Sequence, residues 1–275
     1  MIEWPEILLN CSKNIRENVL HLLKQPQHQT RYGIGAGGDT TYQIDRVAEE
    51  TVVNTIRSHN IDFILISEEA GIKRIGRDPQ HYITIDPIDG TTNALRGIPF
   101  VATSMAVSRK PRLRDVEYAI VTDLLHNVTY TAQKNQGAYK DNRKIVPSRK
   151  TALENLVLSI ELTSETFWRI KAMTKLLQNT KHPRHLGADA LEICYVADGT
   201  IDGFVDIRGK LRVTDMAAAQ LILKEAGGVI TTLANKRLDV PLTPAQRVSF
   251  MAIANKTLHI KIQTLFDKGV TNNLC

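Results

Sequence analysis

Residues 82–93 read YITIDPIDGTTN, and the other motifs of the chain can be arranged around this stretch. It opens with β-branched and apolar residues in a strand pattern and breaks at the pair Asp86-Pro87. A second acid, Asp89, follows three residues after the first, and the Gly-Thr-Thr-Asn that comes next is a favourable helix opening. Two acids at the end of a buried strand offer the hard oxygen ligands that Mg²⁺ prefers. The amides and hydroxyls that follow, from Gly90 and Thr91, stand where a helix start can hold a phosphate.

A plain turn is the simpler interpretation of the same stretch. Asp-Pro and Asp-Gly are both common turn dipeptides, so the stretch taken alone leaves the two interpretations open. The remaining motifs of the chain decide between them.

Further acids stand beside predicted strands and helices in other parts of the chain. Glu68 follows a predicted buried strand over residues 62–66, and the loops at such strand ends carry ligands in many α/β sheets. Asp215 precedes a predicted helix that ends at the glycine pair 227–228. Helix capping is the simpler role for Asp215, and also for Asp45 near the start of another helix.

The motifs together resemble the signatures of the inositol monophosphatase and fructose-1,6-bisphosphatase superfamily of Mg²⁺-dependent, lithium-sensitive sugar phosphatases. The first signature is DPIDGTTN at residues 86–93, and the second is TDMAA at 214–218 followed by EAGG at 225–228. The two stand in the order and spacing of that superfamily. LGA at 186–188 and VDIRGKLRVTD at 205–215 resemble its archaeal-type members, which often hydrolyse both inositol-1-phosphate and fructose-1,6-bisphosphate.

The resemblance implies a fold as well as a chemistry. The expected class is α/β (α+β), in the layered α-β-α-β-α sandwich of the sugar phosphatases, assembled as a homodimer. Residues 142–152 are polar and lack clear periodicity, which predicts a boundary between two lobes near residue 148. Residues 1–147 would form an N-terminal α+β lobe with the metal and phosphate motif. Residues 148–275 would form a C-terminal α/β lobe with the substrate-side residues and Asp215.

The resemblance also implies a role for each matched residue. The implied ligands of two or three Mg²⁺ ions per active site are Glu68, Asp86, the carbonyl of Ile88, Asp89 and Asp215. The implied catalytic residues, which orient the attacking water, are Glu68, Thr91 and Asp45. The implied substrate-binding residues are Asp89, Gly90, Thr91, Arg184, Gly187, Ala188, Asp189, Asp206 and Arg208. Of these, Arg184 and Arg208 could bind a second phosphate, which would favour the bisphosphate substrate.

Four carboxylates that converge in one pocket would repel one another and raise one another's pKa unless cations neutralise them. Two Mg²⁺ ions would supply that charge, activate a water on one side and stabilise the leaving oxygen on the other. The visible motifs place neither a cysteine nor a histidine as a nucleophile, which agrees with direct attack by water.

The glycine-rich stretch YGIGAGGD at residues 32–39 matches the superfamily only in part. It lacks the preceding strand that a dinucleotide-binding fingerprint requires, and its four glycines predict a loose, mobile loop. The roles of Asp39 and Thr41 stay open.

Composition and charge argue against several other classes of protein. The chain has 35 basic and 29 acidic residues and a net charge of +6, but the basic residues are dispersed and no nucleic-acid-binding motif accompanies them. Attraction of anionic sugar phosphates explains this charge as well, and the partner that the resemblance implies is a small sugar or inositol phosphate rather than nucleic acid. No apolar run approaches the ~18 residues of a membrane span, and the N-terminus lacks the pattern of a signal peptide. The three cysteines are too far apart for a zinc cluster and odd in number for a disulfide framework, which favours thiols in a reducing compartment. Together with the missing signal peptide and membrane span, this leads us to expect a cytoplasmic protein without membrane attachment.

Two alternatives to the main prediction remain. A phosphatase of 3′-phosphoadenosine 5′-phosphate would share the same metal motifs. A non-catalytic module that binds nucleic acid or a partner through its basic surface could use the same scaffold, although intact metal ligands argue against it.

Overall fold

Helices and sheets alternate in five layers in the computed structural model of the chain, which describes residues 2–162 and 167–266. The helices in these ranges are α1 (Trp4–Leu23), α2 (Gln43–Ser58), α3 (Thr91–Arg96), α4 (Phe167–Asn179), α5 (Asp189–Ala197), α6 (Val213–Ala226) and α7 (Lys256–Thr264). Short 3₁₀ turns cover Pro26–Gln29 and Leu113–Asp115.

The strands form one large sheet, one small sheet and a hairpin. Those before residue 150 are β1 (Arg31–Ile34), β2 (Thr40–Tyr42), β3 (Phe63–Ser67), β4 (Gly71–Ile75), β5 (Tyr82–Asp89), β6 (Ala102–Ser108), β7 (Val116–Asp123), β8 (Val128–Gln133), β9 (Gly137–Lys140) and β10 (Arg143–Lys144). Those after it are β11 (Val157–Glu161), β12 (His182–Arg184), β13 (Gly203–Arg212), β14 (Val229–Thr232) and β15 (Arg247–Ile253).

The large sheet has eight strands in the order β10-β9-β8-β7-β6-β5-β3-β4, and only β3 and β5 run parallel. The small sheet has five strands in the order β12-β11-β13-β15-β14, in which β12, β11 and β13 run parallel. Because the large sheet ends at Lys144 and the small one starts at Val157, the lobe boundary near residue 148 lies between them. That division of the chain stays a prediction.

Three apolar clusters hold the layers together. The first joins α1 and α2 to one face of the large sheet, and the second fills the space between the sheets around α5 and α6. The third packs α4 and α7 on the outer face of the small sheet. The predicted α-β-α-β-α sandwich is therefore confirmed.

Helix α6 is enclosed by both sheets. Its residues Ala217, Ala218 and Ala219 are all without exposed surface. A helix that meets protein on every side needs small or apolar residues all round, and α6 lacks the polar face of a surface helix. This enclosure fixes the position of its first turn, which carries Asp215.

Strand β5 does not stop at Asp86-Pro87, as its sequence predicts, but continues to Asp89. Against β6, Asp86 pairs with Ser104 and Asp89 pairs with Ala102, so β5 contains one extra residue there. A bulge of this kind accommodates Pro87, which has no amide hydrogen for the ladder. The bulge also brings both acids to the same end of the strand.

Three smaller expectations can be compared with the structure. Of the glycine-rich stretch, predicted as a loose loop, residues 32–34 belong to β1 and residues 35–39 form the turn of its hairpin with β2. Cys11 and Cys194 are free and buried, whereas Cys275 lies outside the described residues. Within the described residues, no helix is both long enough and apolar enough to pass through a membrane.

Substitution of Ala218 by leucine tests the enclosure of α6. Larger side chains in a filled core cost about 1–3 kcal/mol of the free energy of unfolding. We expect Ala218→Leu to lower the thermal midpoint, followed by circular dichroism, by about 3–8 °C. Lys13→Leu, on the exposed face of α1, is the control and should change stability by less than about 0.5 kcal/mol. Equal midpoints for the two variants would contradict this packing.

Candidate active site

Three acids from separate parts of the chain meet at one end of the sheets. Because β3 and β5 are parallel neighbours, Glu68, which follows β3, and Asp86, which lies near the end of β5, reach the same end of the large sheet. Asp215 arrives from the first turn of α6. One carboxylate oxygen from each of Glu68, Asp86 and Asp215 lies within 4.8 Å of the other two. The structure thus brings together three of the four predicted acidic ligands directly.

The three acids are poorly solvated, and this changes their chemistry. Burial, followed by repulsion from Asp215, raises the pKa of Glu68 well above its ordinary value. Burial and repulsion from Glu68 do the same to the pKa of Asp86. Burial also raises the pKa of Asp215, although the Arg212 guanidinium counteracts part of the rise. Each carboxylate would release its proton more readily if positive charge were added among them.

The fourth predicted ligand, Asp89, is held differently. Its two carboxylate oxygens accept hydrogen bonds from the first amides of α5, at 2.9 Å from Asp189 and 2.8 Å from Ala190. Burial and repulsion from Asp215 nevertheless raise the pKa of Asp89 to about 7. Asp89 therefore lines the cavity and also joins the end of β5 to the start of α5.

The turn after β5 is built by Gly90 and fastened by Asn93. Gly90 has φ +87°, and a Cβ atom there would lie 3.0 Å from the carbonyl oxygen of Phe100. The Asn93 amide donates to the carbonyl oxygens of Phe100, at 2.9 Å, and Leu186, at 2.7 Å. These bonds place Gly90 beside the turn at Gly187.

Asp45 and Thr91 form a pair at the start of helices α2 and α3. The Thr91 hydroxyl lies 3.1 Å from Asp45 Oδ1 and 3.0 Å from the carbonyl oxygen of Ile88, both of which can accept its hydrogen. Asp45 also accepts from the Tyr42 amide at 2.7 Å, which is the capping role suggested by its position. Burial raises the pKa of Asp45 to about 7, against the lowering effect of that amide.

These groups surround a cavity of about 460 Å³. Most of the predicted site residues line it, namely Glu68, Asp86, Ile88, Asp89, Gly90, Thr91, Gly187, Asp189, Arg208 and Asp215. Asp45 stands behind Thr91, and Ala188 is buried against Gly90.

The far end of the cavity contains an arginine surrounded by acids. Arg208 donates to Asp206 at 2.6 Å, contacts Glu161 at 2.9 Å and reaches Asp189 at 3.4 Å. Asp206 is buried beneath Arg208 and does not line the cavity. The positive charge of Arg208 is therefore balanced by protein carboxylates.

The structure does not bring Arg184 to the cavity. Its side chain is exposed at β12, the edge strand of the small sheet, and donates to the carbonyl oxygen of Pro183 at 2.9 Å. With Arg208 already balanced, the sequence-based preference for a bisphosphate loses its support.

The sequence analysis missed Arg212, which lies among the predicted metal ligands. Its guanidinium donates to Glu68 at 2.7 Å and also to Asp39. Asp39 and Glu69 line the cavity as well, and the Thr41 hydroxyl donates to Glu69. The available signal was an arginine that stands three residues before Asp215, at the point where the strand β13 meets α6.

The donor set suits a hard divalent cation such as Mg²⁺. It consists of carboxylate oxygens at short mutual distances, without nitrogen or sulfur ligands, and these oxygens lie in surroundings that penalise uncompensated negative charge. Ile88 lines the same cavity, and its carbonyl oxygen lies 3.0 Å from the Thr91 hydroxyl.

The raised pKa values predict how stability depends on pH. Between 3.8, the ordinary value, and about 7, folded Asp45 and Asp89 keep protons that the unfolded chain has released. Protein in EDTA should therefore lose stability as pH rises through this window. Mg²⁺ requires deprotonated ligands, so it should raise the thermal midpoint more at about pH 8 than at about pH 5. Calorimetry that showed a pH-independent Mg²⁺ effect would contradict this.

Comparisons with known proteins agree with this geometry. A sequence model described as the inositol monophosphatase family matches residues 8–268. The fructose-1,6-bisphosphatase/inositol-1-monophosphatase of Methanothermobacter thermautotrophicus is 34% identical over 95% of this chain and 96% of its own length. The bifunctional NADP phosphatase/NAD kinase of Methanococcus maripaludis is 32% identical over 96% of this chain, which spans 49% of that protein.

Solved structures show the same relationship. The crystal structure of an inositol monophosphatase–fructose 1,6-bisphosphatase superposes with a TM-score of 0.84 at 31% identity, over 96% of this chain and 100% of the other. The acid cluster, the glycine turn and the layered sandwich thus occur in a chain that belongs to the inositol monophosphatase family.

Proposed function

We propose that this protein is a Mg²⁺-dependent phosphomonoester hydrolase that acts on inositol-1-phosphate by direct attack of water on phosphorus. The observation that carries the proposal is the meeting of Glu68, Asp86 and Asp215 within 4.8 Å, in one cavity with the Gly90 turn. The family relationship and the names of the relatives support the same reaction class.

The proposed metal ligands are Glu68, Asp86, the Ile88 carbonyl, Asp89 and Asp215, for two or three Mg²⁺ ions. Bound Mg²⁺ would neutralise the carboxylates and the phosphate and lower the pKa of the attacking water. Asp89 also has a structural role in this scheme. The α5 amides that bind its oxygens hold the end of β5 and the start of α5 in fixed positions on the cavity wall.

The water is oriented by Glu68 and by the pair of Thr91 and Asp45. When the Thr91 hydroxyl directs its hydrogen to Asp45, its oxygen is free to accept a hydrogen bond from the water. Asp45, with a pKa of about 7, is suited to receive the proton through Thr91 near neutral pH. The resemblance implied a water-orienting role for Asp45, and the contact with Thr91 gives that role a route.

The amides of Gly90 and Thr91 hold the phosphate oxygens. They belong to the turn that Asn93 fastens, so they are in place before substrate arrives. Fixed donors of this kind stabilise charge that develops in the transition state without reorganising.

The far end of the cavity favours a polyol over a second phosphate. Arg208 is balanced by Asp206, Glu161 and Asp189, and Arg184 lies outside the cavity. Hydroxyl groups of inositol can form hydrogen bonds with the Asp189 carboxyl group, whereas a second phosphate would have to compete with three acids for Arg208. We therefore rank inositol-1-phosphate above fructose-1,6-bisphosphate.

The assembly and location follow the sequence predictions. We infer a homodimer in the cytoplasm, supported by the resemblance and by the composition of the chain. A sugar or inositol phosphate, rather than nucleic acid or membrane, is the proposed partner.

A panel of phosphate esters tests the function and the ranking. Inositol-1-phosphate, fructose-1,6-bisphosphate, 3′-phosphoadenosine 5′-phosphate and NADP are compared by phosphate release, with Mg²⁺ and with EDTA. We expect Mg²⁺-dependent turnover, with kcat/KM for inositol-1-phosphate at least about tenfold above that for the bisphosphate, a difference of ~1.4 kcal/mol. The opposite order would refute the ranking alone. An absence of Mg²⁺-dependent turnover on every ester would refute the function.

Substitution of Gly90 by alanine tests the phosphate turn. The new Cβ atom would lie 3.0 Å from the Phe100 carbonyl oxygen and 3.1 Å from that of Gly187, so the turn must move. Gly97→Ala is the matched control, with φ +71° and no atom within 4 Å of its Cβ. Both variants should lose about 1–2 kcal/mol of stability from their left-handed backbone. Only Gly90→Ala should lose about 100-fold in kcat, since misplaced groups cost rate.

If Gly97→Ala loses as much activity as Gly90→Ala, the loss follows from backbone strain and the proposed phosphate contacts are wrong. Thermal midpoints of both variants, measured beside kcat, separate these outcomes.

A further inference from the structure

A buried arginine shares carboxylates with the proposed metal site. Arg212 is the last residue of β13, and only 10% of its side chain is exposed. Its Nη2 lies 2.7 Å from Glu68 Oε1 and also donates to Asp39, while its Nη1 lies 3.9 Å from Asp215 Oδ2. Two of its three acidic neighbours are therefore members of the central acid cluster.

The glycine hairpin turn holds this guanidinium in place. A Cβ atom on Gly37 would lie 2.6 Å from Arg212 Nε, so the turn passes directly over the side chain. The Gly37 amide donates to the Glu68 carbonyl oxygen at 2.6 Å, and the Ala36 amide donates to the Glu69 carbonyl oxygen at 3.0 Å. Arg212 is thus enclosed by the hairpin turn on one side and by its acidic partners on the other.

Arg208 provides an internal comparison on the same strand. Its side chain is 15% exposed, and its partners are Asp206, Glu161 and Asp189. Neither Glu68 nor Asp215 is among them. The strand therefore carries two buried arginines of similar exposure, of which Arg212 contacts the central acid cluster and Arg208 contacts the acids at the far end.

We propose that Arg212 is the internal counter-cation of the acid cluster and that it sets the affinity of the site for Mg²⁺. The inference rests on the proposed function in one respect, namely that Glu68, Asp86 and Asp215 bind the metal. Arg212 holds one Glu68 oxygen and repels a nearby cation, so it lowers Mg²⁺ affinity. In metal-free protein the same charge offsets the repulsion among the carboxylates and stabilises the fold. Arg212 is a positioning residue in this scheme.

The test compares Arg212→Gln with the unaltered protein, both full length. Calorimetric titration gives the Mg²⁺ dissociation constant, and thermal unfolding is followed in EDTA and in saturating Mg²⁺. Removal of a positive charge beside the site should make Mg²⁺ bind about tenfold more tightly. The variant should unfold at a lower temperature in EDTA, and Mg²⁺ should restore more of its midpoint than it adds to the unaltered protein.

Two further variants separate charge from shape and from burial. Arg212→Lys keeps the charge but replaces the planar guanidinium, whose Nη2 contacts both Glu68 and Asp39, so its Mg²⁺ affinity should stay within about threefold of the unaltered protein. Arg208→Gln also removes a buried charge, but from the other acids. It should lower the midpoint in EDTA without the same tightening of Mg²⁺ binding.

The outcomes are distinct. If the unaltered protein binds no Mg²⁺, both the proposed metal site and this inference fail. If it binds Mg²⁺ and Arg212→Gln binds with equal or lower affinity, only the role of Arg212 fails. If Arg212→Gln does not fold even in Mg²⁺, Arg212→Lys decides, because a tenfold change with the charge retained would overturn the proposal.

Discussion

Repulsion among buried carboxylates is the constraint that shapes this molecule. Glu68, Asp86 and Asp215 lie close together, and solvent that would screen their charges is largely excluded. Such an arrangement persists only where positive charge is available, from an arginine, a metal ion or bound protons. The surrounding chain supplies the first of these through Arg212 and leaves a cavity in which the second fits.

The fold brings these acids together by simple means. Parallel β3 and β5 end at one edge of the large sheet, and the bulge in β5 adds the residue that turns Asp86 and Asp89 to the same end. Helix α6, enclosed between two sheets, delivers Asp215 to the same place from more than 100 residues away. The positions of these carboxylates are therefore well defined, because strand ends and an enclosed helix carry them rather than long loops.

Much of the fold and of the candidate site could be predicted from the sequence. The features that could not be predicted depend on contacts between distant parts of the chain. The acids of the two signatures and the sandwich followed from motifs whose spacing is specific. The course of β5 through Pro87 did not, because a bulge depends on the partner strand and not on local propensity. Arg212 was missed because its role depends on contacts with Glu68 and Asp39, which are distant in sequence. Arg184 was placed at the substrate by resemblance, but it lies at a sheet edge and is not among the residues that line the cavity.

The hydrogen bonds from the first α5 amides to Asp89 have a mechanical consequence. The Asp89 carboxylate, at the end of β5 in the large sheet, binds the start of α5, which packs between the two sheets. The hydrogen bonds therefore connect two elements that line the cavity. A movement that separated β5 from α5 would have to break these hydrogen bonds. Asp89 thereby resists a change in the distance between the end of β5 and the start of α5.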